Sequence, residues 1–99
     1  MRLTLRLKKK YFDEIKAGTK KFEYREKCEY WRLRIERKNI DDIQLIWGFP
    51  RREEMNENNQ MIFPWNGYEI HQVVHEQWKN KKTEVYAIRL NKEKLCVTT

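Results

Sequence analysis

The stretch "LTLRLKKKYFDEIKAGTKKFEYRE", Leu3 to Glu26, decides how the chain begins to fold. Its first part alternates strictly. Leu3, Leu5 and Leu7 fall on one face of an extended chain, and Arg2, Thr4, Arg6 and Lys8 on the other. That pattern predicts a half-buried strand over 2–8 with a basic outer face. The period then changes. Tyr11, Phe12 and Ile15 recur at helical spacing, with Asp13 and Glu14 placed as first-turn acids, so a short helix is expected over 11–17. Gly18 stands where a helix C-terminal glycine belongs. "KKFEYRE" returns to alternation, with Phe22 and Tyr24 on one face and Lys21, Glu23 and Arg25 on the other.

Outward from this strand–helix–strand unit the signals vary in strength. "CEYWRLRIERKN" places Trp31 and Ile35, and Tyr30 and Arg34, four apart, which fits a short amphipathic helix or an irregular basic loop. "DDIQLIWGF" carries Ile43, Leu45 and Trp47 on one face and Ile46 on the other, the pattern of a central strand buried on both sides. "PRREEMNENN" is a charged, Asn-rich loop. Asn66-Gly67 between two strand-like runs predicts a hairpin, and Pro64 marks its first arm as a sheet edge. "TEVYAIRLN" is the last strand, and the tail over about 92–99 is expected to fray. Together these predict a single domain over 1–99 of strand-rich α+β class. Its sheet would be strongly bent and mostly antiparallel, or an incomplete barrel whose closure removes exposed edges.

A chain of 99 residues has room for one modest core. Four Trp, five Tyr and four Phe supply much of it. Trp47, inside an apolar strand, is expected in that core; Trp31 and Trp65 are expected at the surface. The formal charge of +7 is uneven: residues 1–39 hold 14 Lys/Arg and 6 Asp/Glu, a balance of +8, and the remainder balances to −1. A concentrated positive field favours phosphate backbones or anionic surfaces, although lysines also serve plain solubility. Cys28 and Cys96 match no metal-ligand spacing, and "MRLTLRLKKK" has no apolar h-region, so a reducing cytoplasm is expected. No run approaches the ~20 apolar residues of a membrane span.

Several chemistries are excluded outright. The chain has no Ser and no CxxC, and its three glycines form no phosphate loop. His71 and His75 stand four apart, but in a strand-like context that separation spans roughly 13 Å, too far for one ion. Neither a metal nor another cofactor is expected.

The opening stretch resembles the N-terminal signature of the ASCH domain family. An initial strand leads to a short helix ending in Gly and then to G-x-K-x-x-E-x-R, here Gly18, Lys20, Glu23 and Arg25. "YWRLRI" is similar to the aromatic-basic segment that often follows. The likeness covers 1–40. It implies a PUA-like fold, a small β-barrel with short helices packed on it, and a cleft beside the motif strand. It also implies an RNA-related role. A monomer with neither membrane nor metal as partner is expected. Lys20 and Arg25, with Lys21 and Arg32, would then contact phosphates or base edges, Glu23 would accept from a base amino group or orient Arg25, and Tyr30 and Trp31 would stack a base, on RNA or a nucleoside-like ligand. The alternative is a small hydrolase, of amidohydrolase or nuclease type, acting on a modified nucleoside or RNA. Lys20 would stabilise negative charge and Glu23 would activate water. The similar amidohydrolase branch has Thr where this chain has Glu23, and uses a later Glu for which Glu69 is the candidate. A third class is a protein-interaction module using the basic face.

One geometric condition attaches to any such site. Strict alternation puts Lys20 and Glu23 on opposite faces of a flat strand. They can share a cleft only if the chain turns just after Gly18.

Overall fold

The structure, a computed structural model, describes residues 1–74, 79 and 81–90. The expectations placed on His75, Cys96 and the tail over 92–99 fall outside those residues. The chain runs β1 (Arg2–Leu7), α1 (Lys9–Ala17), β2 (Phe22–Glu26), α2 (Glu29–Ile35), β3 (Asp42–Trp47), a 3-10 turn (Arg52–Glu54), β4 (Gln60–Pro64), β5 (Tyr68–Val74) and β6 (Lys82–Arg89). This is a small, strand-rich α+β fold. Its described strands form two three-stranded sheets, ordered β1-β3-β4 and β2-β6-β5, rather than one continuous barrel ladder.

The strand β1 forms where the alternation placed it. Leu3, Leu5 and Leu7 are buried and the residues between them exposed. Its partner is β3, and the pairing is parallel, from Arg2 opposite Asp42 to Leu7 opposite Trp47. The Arg2 Nε–Asp42 Oδ1 ion pair, at 2.9 Å, sits on the first rung of that register. The other three pairings are antiparallel. A parallel pair needs a long crossover. Here the crossover is 8–41, and it contains α1, β2 and α2, so Gly18, Lys20, Glu23 and Arg25 all lie in the connection between two neighbouring strands.

Both central strands, and the edge strand β4, carry buried runs. In β3, Ile43, Leu45 and Ile46 are buried; in β6 the run Val85, Tyr86, Ala87 and Ile88 is. One cluster joins Leu3, Leu5 and Leu7 from the first sheet with Tyr86 and Ile88 from the second, closed by Phe12 and Ile15 of α1 and Ile35 of α2. Each helix thus contributes its apolar stripe to the core between the sheets.

Three expectations change. First, α1 starts at Lys9, two residues before the expected Tyr11, so Asp13 and Glu14 lie in its second turn and no acid occupies the first. Lys9 instead bridges Asp13 at 2.9 Å across one turn. Second, Asn66-Gly67 makes no hairpin: β4 pairs with β3, while β5 pairs with β6. A type I′ turn needs positive φ at both central residues. Gly67 has φ 76, but Lys79 is the single non-glycine residue with positive φ among those described, so Asn66 lacks it. The segment becomes a corner that carries the chain from one sheet to the other. Arg89 secures it, donating from its main-chain nitrogen to the Gly67 carbonyl (3.1 Å) and from Nη1 to that of Asn66 (3.0 Å). Pro64 does end an edge strand, β4, as expected.

Third, the tryptophans exchange roles. Trp47 ends β3 and is 37% exposed, beneath the Lys9 ammonium. Trp31 and Trp65 are partly buried and pack against the core. Trp47 stands at the last rung, where the sheet runs out of covering structure. Among the described residues, no helix is long and apolar enough to cross a membrane.

Candidate functional site

Gly18 has φ 84, in the left-handed region, and closes α1 with its N–H on the Ile15 carbonyl. The chain then folds back on the helix end. The Glu14 carbonyl accepts from the Thr19 N–H, the Thr19 hydroxyl and the Lys20 N–H at 3.0–3.2 Å. Lys20 is therefore tied to the helix terminus and stands outside the alternation of β2, which begins at Phe22. This is the turn that a shared cleft required.

The consequence is a buried three-residue ion cluster. Glu23, on β2, is 2% exposed. Its Oε1 accepts from Lys20 Nζ at 3.1 Å, and its Oε2 accepts from Arg25 Nη1. Arg25 also donates to the Tyr24 carbonyl (2.9 Å) and, from Nη2, to the Arg6 carbonyl of β1 (3.1 Å). It therefore straddles the gap between β1, an edge of one sheet, and β2, an edge of the other. A buried carboxylate needs such partners, because an unpaired one is costly to desolvate.

The cluster forms the floor of a cleft of about 600 Å³. That size falls within the range of small-ligand sites. One wall is the edge strand β1 with Lys8; the other carries Tyr24, Tyr30 and Trp31, with Tyr11 also lining the space. The cations lie on aromatic faces. Lys20 Nζ is 4.5 Å from the Tyr11 ring centre and 5.4 Å from that of Tyr24, and the Arg25 guanidinium is 5.4 Å from the Trp31 ring. Tyr30 is 54% exposed at the rim, edge-on to Trp31 and with the Arg34 guanidinium 3.6 Å over its ring. Formally the floor holds two cations and one anion, so it is positive and presents planar aromatic surfaces beside that charge.

The structure thus brings together Lys20, Glu23, Arg25, Tyr30 and Trp31 of the residues singled out from sequence, with Gly18 setting the turn. It does not bring in the other two. Lys21 is exposed and borders an adjoining recess that shares Tyr11, Lys20 and Tyr24 with the cleft; its carbonyl serves the sheet by accepting from the Leu90 N–H (2.9 Å). Arg32 points away on α2 and grips Glu29 through two contacts of 2.7–2.9 Å. That contact holds the Glu29 carboxyl below its usual range. Reading sequence missed Tyr11, Tyr24 and Lys8. Tyr24 counted as the opposite face of the strand, and nothing in the spacing reports that α1 would bring Tyr11 to Lys20.

The remaining candidates lie elsewhere. Glu69 is on β5, outside the cleft, held by His71 Nε2 (2.9 Å) and Arg89 Nε (3.1 Å). The His71 hydrogen bond, followed by that of Arg89, lowers its carboxyl below the usual range. Among the described residues no group of three or more His, Cys, Asp or Glu is placed to hold a metal ion. In comparison with known proteins, no family model, no curated protein and no solved structure matches the chain.

Proposed function

We propose that this chain is a small RNA-binding domain of ASCH-like, PUA-like type, its two sheets corresponding to the halves of a PUA-like barrel. In this reading the cleft takes an unpaired base with its phosphate. The observation that carries it is the Glu23 carboxylate, buried at the cleft floor and holding Lys20 and Arg25 side by side under aromatic rings. Unpaired bases are recognised by stacking on aromatic or guanidinium planes together with polar contacts to their edges. Positive charge beside those planes suits the attached phosphate.

The same geometry weighs against the hydrolase alternative. That reading asks Glu23 to activate water, yet both its oxygens already accept from cations and the residue is 2% exposed. Its role here is to aim Lys20 and Arg25.

The test is titration of short single-stranded RNAs against wild type, Arg25→Ala and Glu23→Gln at two salt concentrations. Arg25→Ala is expected to weaken binding by about 1–3 kcal/mol. Glu23→Gln is expected to weaken it as well, although it makes the protein more positive. Tighter binding by Glu23→Gln, with the salt slope unchanged and no preference among RNAs, would reduce the cleft to a general electrostatic surface.

A further inference from the structure

A second group of aromatic and basic residues adjoins the cleft and is untouched by the reading above. Phe49, just beyond β3, is 86% exposed, the most exposed of the large hydrophobic residues described. The Arg6 guanidinium lies 4.8 Å from its ring centre and is fixed there by a 2.9 Å bond from Nη1 to the Gly48 carbonyl. Gly48, at φ 74, turns the chain at this point. One residue earlier, Trp47 carries the Lys9 ammonium 5.3 Å from its ring. The Phe49–Arg6 pair adjoins the cleft, because Arg6 lines it; Trp47 pairs in register with Leu7 and so belongs to the opposite face of β1.

Resting on the proposed RNA reading, we infer that Phe49, backed by Arg6, forms a stacking platform for the nucleotide next to the base held in the cleft. The ligand is then a single strand of RNA and not a free nucleoside. Three features favour that occupant. A guanidinium covers one side of the Phe49 ring, and the exposure of the residue leaves planar surface for a base. Arg6 and Lys8, which both line the adjoining cleft, place positive charge beside the ring for the attached phosphates. The platform also belongs to the basic part of the chain, since Arg6 and Lys8 are among the 14 Lys/Arg of residues 1–39. Single-strand surfaces combine these two elements, a basic track and aromatic platforms.

The experiment compares a ribonucleoside monophosphate with a single-stranded RNA of about 12 nucleotides, inside the range of site sizes such surfaces occupy. Phe49→Ala is expected to weaken the oligonucleotide by about 5- to 150-fold, the equivalent of losing one stacked base. It should leave the mononucleotide unchanged, and Phe49→Trp should restore the oligonucleotide. Arg25→Ala should weaken both ligands. Equal oligonucleotide affinity for wild type and Phe49→Ala, with Arg25→Ala still defective, overturns the platform and leaves the cleft standing. Loss at Phe49→Ala with none at Arg25→Ala overturns the cleft reading instead. Binding of anionic phosphatidylserine vesicles through Phe49, with RNA affinity unaffected, overturns the platform in favour of a lipid surface.

Discussion

Glu23 shows how a single position ties stability to the site. Alternation along β2 buries it, and a buried carboxylate is tolerated because two cations converge on it. Removing one partner of a buried ionic group is strongly destabilising. Lys20 and Arg25 keep 17% side-chain exposure, so water recovers part of the loss. Glu23→Ala is therefore expected to cost up to about 3 kcal/mol in denaturant unfolding. A cost within error of zero would mean that the cluster is not a structural element. Gly18 acts one step earlier. Its φ of 84 charges any side chain for the left-handed conformation, so Gly18→Ala is expected to lose about 1 kcal/mol, and Gly18→Asn less. An unchanged melting temperature for Gly18→Ala would show that the helix end relaxes freely. At this scale the sequence was informative: the G-x-K-x-x-E-x-R spacing named three residues that meet in space. Lys21 and Arg32 stand outside the cleft lining: Lys21 faces the neighbouring recess, and Arg32 is held by Glu29 on α2, which adjacency in a basic run does not report.

Elements were legible wherever one face is buried. The alternation of β1 and the i, i+4 apolar pair of α2 follow directly from which residues the core takes. Asn66-Gly67 was not legible, because its local turn preference is overruled by the tertiary demand that β4 and β5 join different sheets. How α2 is held was equally hidden, since it depends on a contact fifty positions apart: the Tyr86 hydroxyl on β6 donates to Glu36 Oε2 just past the helix. Burial, reinforced by Glu36, raises the Tyr86 hydroxyl well above the usual tyrosine value. The sign follows. The unfolded chain releases this proton near pH 10, whereas the folded one keeps it. The group's contribution is therefore fully present below about pH 10 and is lost as pH rises further. Melting temperature is expected to fall more steeply above pH 10 in wild type than in Tyr86→Phe. Lysines titrate alike in both proteins, so the difference isolates Tyr86. Parallel alkaline profiles would mean that Tyr86 ionises as easily in the fold as outside it.

For the whole molecule, charge and topology have to be considered together. Composition already placed an excess of +8 in residues 1–39. Topology places most of that segment in the β1–β3 crossover that builds the cleft, which composition could not foresee. Alternation identifies a strand but not its neighbour or direction, so the parallel pairing was invisible as well. If the excess serves RNA, its salt dependence should be local to the cleft. Each phosphate contact to a single strand contributes about 0.7 to the slope of log affinity against log salt. Lys8 lines the cleft, whereas Lys81 is exposed just before β6 and does not. Lys8→Gln is expected to reduce the slope by roughly 0.7 and Lys81→Gln to leave it unchanged. The deficit of Arg25→Ala should persist at high salt, because a contact to a base edge releases no phosphate counterion. Equal slopes for Lys8→Gln and Lys81→Gln would show that RNA senses net charge alone. The N-terminal excess would then serve solubility, and the ion cluster at Glu23 would be a device of the fold.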